Sequence, residues 1–276
     1  MYKEIYEKIQ QSCGYVTVVL DEEVISEGTC FAFTPDGEVI TAAHVVTGRV
    51  PIRVEDYSDP NAKIYIKFSG RPLLEYRVSF CSFGIQSEAF NEVIQLDIAA
   101  LAPIQKQEDP FTYLPAKVTP PHLGQQVFLS GFSDELALPF NLDRIADRSF
   151  PGMKEFFEAM KKGYMADMMG PLIKRAIVGN HRRIYAADTK NGIHIEVDVF
   201  YMDNGVNSGA SGGPVVNECG EAIGVITQRA VTSASQSADS TLKVPAGATV
   251  GLSLQPMEIA RRIKAKEHNK ANHGDR

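Results

Sequence analysis

The sequence predicts a mostly β protein built from two antiparallel β-barrels. The first half holds short β-prone runs separated by turn-forming residues, and Thr34-Pro35-Asp36-Gly37 is typical of a hairpin turn. Several short strands at such spacing indicate a closed antiparallel barrel. The runs lie at 15–20, 28–34, 39–42, 52–55, 63–68, 74–80 and 93–101.

A second set of β-prone runs follows a proline-rich segment at 115–122, which we interpret as the linker between the barrels. We therefore expect a first barrel over 1–115, with a short N-terminal helix, and a second barrel over 116–256. A C-terminal helix and tail are expected over 257–276. The second set of runs lies at 126–131, 175–178, 193–200, 214–216, 222–227 and 249–254.

An insertion at about 135–172 interrupts the second set of runs and is expected to be helical. Ser149 can cap a helix and Pro151 suits its first turn. Apolar residues then recur at steps of three and four, which favours a helix that packs one face on the barrel. A lid, a substrate-gripping surface or an oligomer contact is the alternative, because methionine-rich faces adapt to varied partners. The residues of this face are Met153, Phe156, Phe157, Met160, Tyr164 and Met168.

Length, composition and charge exclude several classes of protein. A chain of 276 residues, with 44% hydrophobic and 22% charged residues, can bury a sizeable core. The net charge of −6 argues against a nucleic-acid partner. No apolar run reaches the roughly 18 residues that a membrane span needs, and the charged N-terminus is unlike a secretory signal.

Three separated motifs carry the residue types that activate a serine. Ser211 lies in the glycine-rich segment 209–214 (GASGGP), His44 ends the segment 41–44 (TAAH), and Asp97 begins the segment 97–101 (DIAAL). A serine hydroxyl is a poor nucleophile until a base takes its proton and a carboxylate orients that base. We therefore predict His44, Asp97 and Ser211 as the catalytic residues.

The glycines around the serine predict a site for a developing oxyanion. Gly209 allows a tight turn that directs the N–H groups of Gly209 and Ser211, with Ala210 as an additional donor, into one hole. Losing one such donor costs about 3–4 kcal/mol of transition-state stabilisation. Gly212 and Gly213 are expected to leave room for the substrate backbone.

The three motifs, in this order and spacing, resemble the chymotrypsin-like serine peptidases and most closely their HtrA/Deg-type bacterial branch. The segments 220–225 (GEAIGV) and 250–256 (VGLSLQP) extend the resemblance, which covers roughly 12–136 and 173–262. It implies two six-stranded barrels, with an active site in the cleft between them and endopeptidase activity on protein or peptide substrates. It implies no metal and no organic cofactor, and the sequence shows no PDZ-like module.

The resemblance also guides expectations about specificity. Trypsin-like members carry a carboxylate six residues before the serine, where this chain has Gly205, so a preference for Arg or Lys is not expected. Thr227, Gln228 and Arg229 are expected to form one wall of the pocket and 250–254 another. We expect a small or medium apolar side chain at the cleaved position.

Activation is expected to differ from that of the digestive members of the family. Those members place an aspartate just before the nucleophile, to pair with a newly cut N-terminus, whereas this chain has Ala210. We therefore expect no proteolytic activation. Control could instead come from ordering of the loop at 204–208, from the insertion, or from a regulatory protein partner.

The cysteines favour a reducing compartment. Secreted relatives often bridge the histidine loop, but here Cys30 precedes His44 and no cysteine follows closely. The spacing of Cys13, Cys30, Cys81 and Cys219 fits no zinc site, so we expect reduced core thiols and a cytoplasmic protein.

The sequence leaves two alternatives to the peptidase open and argues against a third. A catalytically silent binding scaffold would keep the fold without using the triad, and an esterase would use the same residues on other substrates. The nucleophile elbow of α/β-hydrolases also contains a GxSxG motif, but that fold places its histidine after the serine. Only His268 and His273, in the polar tail, follow Ser211.

Overall fold

The computed structural model of the protein describes residues 2–85, 94–133, 162–188, 193–233 and 243–258. The helix expected to begin near Ser149 lies outside the described residues, as does the tail beyond residue 258.

The first six strands form one closed antiparallel barrel in the order β1-β2-β3-β6-β5-β4. The predicted turn at 34–37 joins β2 to β3, where Gly37 has φ +84° and donates its N–H to Thr34 O at 3.2 Å. The strands are β1 Cys13–Leu20, β2 Glu23–Ala32, β3 Val39–Thr41, β4 Lys63–Phe68, β5 Leu73–Ile85 and β6 Ile94–Pro103.

The next six strands form a second closed barrel in the order β10-β11-β12-β9-β8-β7. The two six-stranded antiparallel barrels predicted from the sequence are thus confirmed. The strands β11 and β12 extend beyond the predicted runs at 222–227 and 249–254, and they pair Val231 with Pro245. The strands are β7 Gln126–Gly131, β8 Leu172–Asp188, β9 Ile193–Met202, β10 Pro214–Val216, β11 Ala222–Ser233 and β12 Lys243–Ser253.

The helices are short. They are α1 Tyr2–Ser12, α2 Ala43–Thr47, α3 Val54–Ser58 and a π-helix at Tyr164–Met169, and residues 255–258 are also helical. Among the described residues, no helix is long and apolar enough to cross a membrane.

The run at 52–55 was expected to be a strand, and that prediction is wrong. The backbone of Ile52 is satisfied by the side-chain amide of Gln95, which accepts at 2.7 Å and donates at 2.6 Å. Asp56 then accepts the N–H of Arg53 at 3.2 Å and so caps the first turn of α3. A side-chain cap therefore overrides the β propensity of this apolar segment.

A layer of buried side chains between the barrels joins them into one body. Each barrel has its own interior, typified by Ile66 in the first and Leu129 in the second. The interface layer includes Phe31 and Ile98 from the first barrel and Phe132 from the β7 end, all nearly or fully buried. The two barrels therefore meet through closely packed apolar side chains.

The helix α1 packs on the second barrel although it leads directly into β1 of the first. The rings of Tyr2 and Tyr6 lie 5.5 and 5.6 Å from the ring of Phe128 on β7. Lys8 Nζ donates to Gly220 O at 3.1 Å. The helix assigned to the first barrel from the sequence therefore connects the two barrels.

At the end of the insertion, the predicted apolar face is wrong in one residue, Met168. Tyr164 and Met165 are buried in the interface layer, but Met168 is 69% exposed. The turn is a π-helix, in which Gly170 donates its N–H to Met165 O at 3.0 Å. Its wider turn rotates Met168 away from Tyr164, so the i, i+4 relation of an α-helix does not hold there.

Asp167 attaches this π-helix to the first barrel. Its carboxylate accepts Lys67 Nζ at 2.8 Å and the N–H of Gly70 at 2.8 Å, both from the β4–β5 hairpin. Partial burial acts to raise the pKa of Asp167, but these two donors hold it below its usual value.

Candidate active site

His44 is placed by the short helix α2, which begins just after β3 of the first barrel. The helix ends at Gly48, whose φ of +70° lets its N–H return to His44 O at 2.9 Å. Because β3 pairs with β6 and Thr41 lies opposite Ala99, the start of α2 lies beside Asp97. Pairing of these two strands therefore brings together residues that are 53 positions apart in sequence.

Asp97 holds His44 at two points. Its Oδ2 lies 2.7 Å from His44 Nδ1, and its Oδ1 accepts the His44 backbone N–H at 2.9 Å. The second bond satisfies one of the unpaired N–H groups at the start of α2. With Nδ1–H donating to the carboxylate, a neutral imidazole presents the lone pair of Nε2. Both side chains are about one-quarter exposed, at 27% and 24%, so the pair is accessible from solvent.

The loop that carries Ser211 is fixed by main-chain hydrogen bonds from both barrels. Thr29, on β2 of the first barrel, donates its N–H to Ser211 O at 2.9 Å. In the second barrel, Gly212 donates to Ile226 O at 2.7 Å, and Ile226 donates to Gly213 O at 2.8 Å. The serine therefore lies at the junction of the barrels.

Gly212 and Gly213 have a different role from the predicted one. A Cβ at Gly212 would lie 2.1 Å from Thr29 O and 2.2 Å from Thr41 Oγ1, and one at Gly213 would lie 1.9 Å from Ser130 O. These glycines permit close approach of protein backbone, not of substrate. The approach brings the segment after Ser211 against Thr41, three residues before His44.

The backbone around Ser211 provides two free donors. Gly209 has φ +88°, and within the described ranges neither its N–H nor that of Ser211 has a hydrogen-bond acceptor. Ala210, expected to contribute a third donor, instead gives its N–H to Asn207 O at 3.3 Å. The geometry therefore leaves Gly209 and Ser211 available for an oxyanion.

The hydroxyl of Ser211 is not yet engaged by the histidine. Of the contacts among the described residues, none is a hydrogen bond between Ser211 Oγ and His44. Catalytic hydrogen bonds are often long in a free enzyme and tighten when substrate binds.

The predicted pocket residues separate into two groups. Gly205 and Arg229 line one cavity of about 310 Å³. Thr227 and Gln228 do not line it; the Thr227 hydroxyl donates to Val250 O at 3.4 Å, and Gln228 is exposed. The other lining residues are Lys174, Asn204, Val206, Asn207, Ala230, Pro245, Gly247 and Ala248.

Two residues near the nucleophile were missed by sequence reasoning. Thr29 Oγ1 donates to Gly209 O at 2.8 Å and accepts the N–H of Phe132 at 2.9 Å. Lys174 Nζ donates to Gly205 O at 2.7 Å and to Asn207 Oδ1 at 3.0 Å. Only Lys174 could have been found from the sequence. It precedes Ala176 and Val178 by two and four positions, so it lies on the strand face that points into the barrel interior.

The cysteines form no disulfide among the described residues. Burial raises the pKa of the thiols of Cys13 and Cys81 to about 12 and that of Cys30 well above its usual value. Cys219 is exposed, so its assignment as a core thiol is wrong. It lies in the turn between β10 and β11, where hydrogen bonds to the Asn217 side chain direct the backbone rather than the thiol inward. Among the described residues, no cluster of three or more His, Cys, Asp or Glu side chains could hold a metal ion.

Comparison with known proteins gives a family and a fold. A family model described as "Trypsin-like peptidase domain" matches residues 28–225. The chain is similar to the solved structure of Rv3671c from M. tuberculosis H37Rv, a serine-to-alanine mutant in its inactive form. Identity is 17%, coverage is 95% of this chain and 90% of that chain, and the TM-score is 0.53. For the active form of the M. tuberculosis protease Rv3671c, identity is 18%, coverage 94% and 82%, and the TM-score 0.50. No curated protein matches the chain.

Proposed function

Because the chain belongs to the family of trypsin-like peptidase domains, we propose that it is a serine endopeptidase with His44, Asp97 and Ser211 as its catalytic triad. The observation that carries this proposal is the pair of hydrogen bonds that the Asp97 carboxylate accepts from the ring and the backbone of His44. A binding scaffold has no need of a carboxylate that fixes both the ring and the backbone of one histidine.

The proposed reaction begins when His44 Nε2 takes the proton of Ser211 Oγ as that oxygen attacks the peptide carbonyl. Asp97 keeps the imidazole in the required tautomer and stabilises its protonated form. The N–H groups of Gly209 and Ser211 bind the oxyanion. His44 then protonates the leaving amine, and water, deprotonated by the same histidine, hydrolyses the acyl-enzyme.

The cavity lined by Gly205 bears on which side chains the protein accepts at the cleaved position. Lys174 lines it, and its described lining contains no carboxylate. A basic side chain entering this cavity would meet like charge, whereas neutral and acidic side chains would not. We propose that cleavage after Arg or Lys is disfavoured. A peptide library cleaved mainly after Arg or Lys would contradict this.

Labelling with a fluorophosphonate probe tests the proposed chemistry, because the probe reacts only with an activated serine. We expect the wild type to be labelled and Ser211→Ala and His44→Ala to be unlabelled. His122→Ala, which changes an exposed histidine, is the matched control and should be labelled like the wild type. Equal labelling of the wild type and Ser211→Ala would refute the assignment of the nucleophile.

A catalytically silent scaffold is the second candidate, and the missing Ser211–His44 hydrogen bond favours it. Labelling by the fluorophosphonate probe distinguishes the two functions, because only an activated serine reacts. A folded wild type that is unlabelled by the probe, both alone and with peptide substrates, would support the scaffold.

A further inference from the structure

A lysine faces the interior of the second barrel at the end nearest the nucleophile. Lys174 on β8 lies directly opposite Leu129 on β7, which is fully buried. Ala176 and Val178, on the same face of β8, belong to the barrel interior. An ammonium group on such a face needs hydrogen-bond acceptors to offset the loss of water.

Lys174 finds its acceptors in the loop that leads to Ser211. Its Nζ donates to Gly205 O at 2.7 Å and to Asn207 Oδ1 at 3.0 Å. Within the described part of the chain, no carboxylate forms an ion pair with this ammonium. Hydrogen bonds from a charged donor are stronger than those between neutral groups, so these two bonds are well suited to hold the loop centre.

Contacts from two threonines hold the two ends of this loop. At the beginning, Thr249 Oγ1 donates to Asn204 O at 2.7 Å and accepts the N–H of Val206 at 3.0 Å. At the end, Thr29 Oγ1 donates to Gly209 O. Between them, Asn207 accepts Lys174 through its side chain and the N–H of Ala210 through its carbonyl. The same residue thus joins the lysine to the turn that contains Gly209.

We propose that Lys174 is a positioning residue for the oxyanion hole. Its ammonium fixes the carbonyl of Gly205 and the side chain of Asn207, and this holds the following turn with the N–H groups of Gly209 and Ser211 free. The inference rests on the proposed serine peptidase function. The proposal explains how the loop can be ordered in a chain that has Ala210, not an aspartate, before the nucleophile. The ordering cation is Lys174, inside the barrel, and its acceptors are a carbonyl oxygen and an amide oxygen.

The test compares the wild type with Lys174→Met, which keeps the aliphatic stem but removes the charge, and with Lys174→Arg. Lys117→Met is the matched control, since Lys117 pairs with Glu221 on the surface of the same barrel. The first readout is the second-order rate constant for fluorophosphonate labelling, together with kcat and KM on one neutral peptide and on its counterpart with an acidic side chain at the cleaved position. The second is hydrogen–deuterium exchange of the peptide segment 203–210.

We expect Lys174→Met to lower the labelling rate and kcat by about tenfold or more, the range for lost charged hydrogen bonds, while KM changes little. Exchange in 203–210 should rise. Lys174→Arg should recover part of both, and Lys117→Met should match the wild type. Addition of methylammonium to Lys174→Ala should restore part of the labelling rate, which a purely structural role for the side chain would not allow.

Several results would overturn the proposal. Wild-type labelling and exchange in Lys174→Met would show that the loop does not need the ammonium. A rise in KM confined to peptides with an acidic side chain would assign Lys174 to substrate binding instead. If the wild type and Ser211→Ala are equally unlabelled, the proposed peptidase function fails, and wild-type exchange in Lys174→Met would then separately reject the loop contact.

Discussion

The contact between Asp97 and His44 makes Asp97→Asn a sharp test of the proposed mechanism. The carboxylate now accepts two hydrogen bonds, from His44 Nδ1–H and from the His44 backbone N–H. An asparagine has one oxygen and one NH2 group. If its oxygen keeps the backbone N–H, its NH2 faces Nδ1, which must then be the acceptor. The ring proton moves to Nε2, and the ring can no longer take the proton of Ser211.

The expected loss follows from this tautomer. We expect turnover to fall by about 10⁴-fold, as the same exchange does in a measured triad, which is ~5.5 kcal/mol of transition-state stabilisation. The opposite amide orientation would set NH2 against the backbone N–H and leave a donor unpaired, at about 1–3 kcal/mol of folding stability. That cost favours the first orientation, so the main loss falls on the rate.

Steady-state cleavage of one peptide and thermal unfolding of the same samples separate the two effects. Asp109→Asn is the control, because Asp109 is exposed and the chemical change is identical. Near-wild-type turnover in Asp97→Asn would refute the reasoning and remove Asp97 from the triad.

Three further changes test the surrounding structure. Gly212→Ala should lose labelling or fail to fold, because φ is +85° and the added Cβ would lie 2.1 Å from a carbonyl oxygen. Gly70→Ala is the control, since Gly70 also has a positive φ, of +70°, but nothing lies within 4 Å of its added Cβ. Thermal unfolding should show that Gly70→Ala loses only the ~1–2 kcal/mol of folding free energy that a left-handed backbone costs. Cys219→Ser should abolish the rapid reaction of the native protein with a thiol reagent at about pH 8, because burial raises the pKa of the other three thiols; undiminished reaction would contradict this. Hydrogen bonds from Asn217 and Lys117 hold the pKa of Glu221 below its usual 4.5, so its contribution to stability is present above that pH and is lost as pH falls through the folded pKa. Glu221→Gln should therefore lower the Tm at about pH 7, and the decrease should shrink as the pH falls below 4.5; a decrease of the same size at every pH would argue against the ionic contribution.

The barrels were predictable because most strands follow a local pattern of β-prone runs and turns. The exceptions depend on contacts that the pattern does not contain. At 52–55, the amide of Gln95, more than 40 positions away, satisfies the backbone that a neighbouring strand would otherwise pair. At Met168, a wider helical turn changes which residues share a face.

The candidate site divides in the same way. His44, Asp97 and Ser211 could be predicted from their residue types, because activation of a serine needs a base and a carboxylate. The role of Gly212 depends on Thr29 and Thr41, which approach it only when the barrels meet. No local pattern reports that approach, so the sequence suggested access for substrate where the structure has packed backbone.

The position of Thr29 links the orientation of the barrels to the state of the oxyanion loop. One hydroxyl accepts the N–H of Phe132 and donates to Gly209 O, while the Thr29 N–H binds Ser211 O. A shift of β2 against β7 would therefore break contacts on both sides of Ala210 together. Lys174 acts from within the second barrel and would keep the loop centre in place during such a shift. We therefore expect the position of the end of the loop to depend on barrel packing through Thr29. The position of the loop centre should depend on Lys174 and not on that packing.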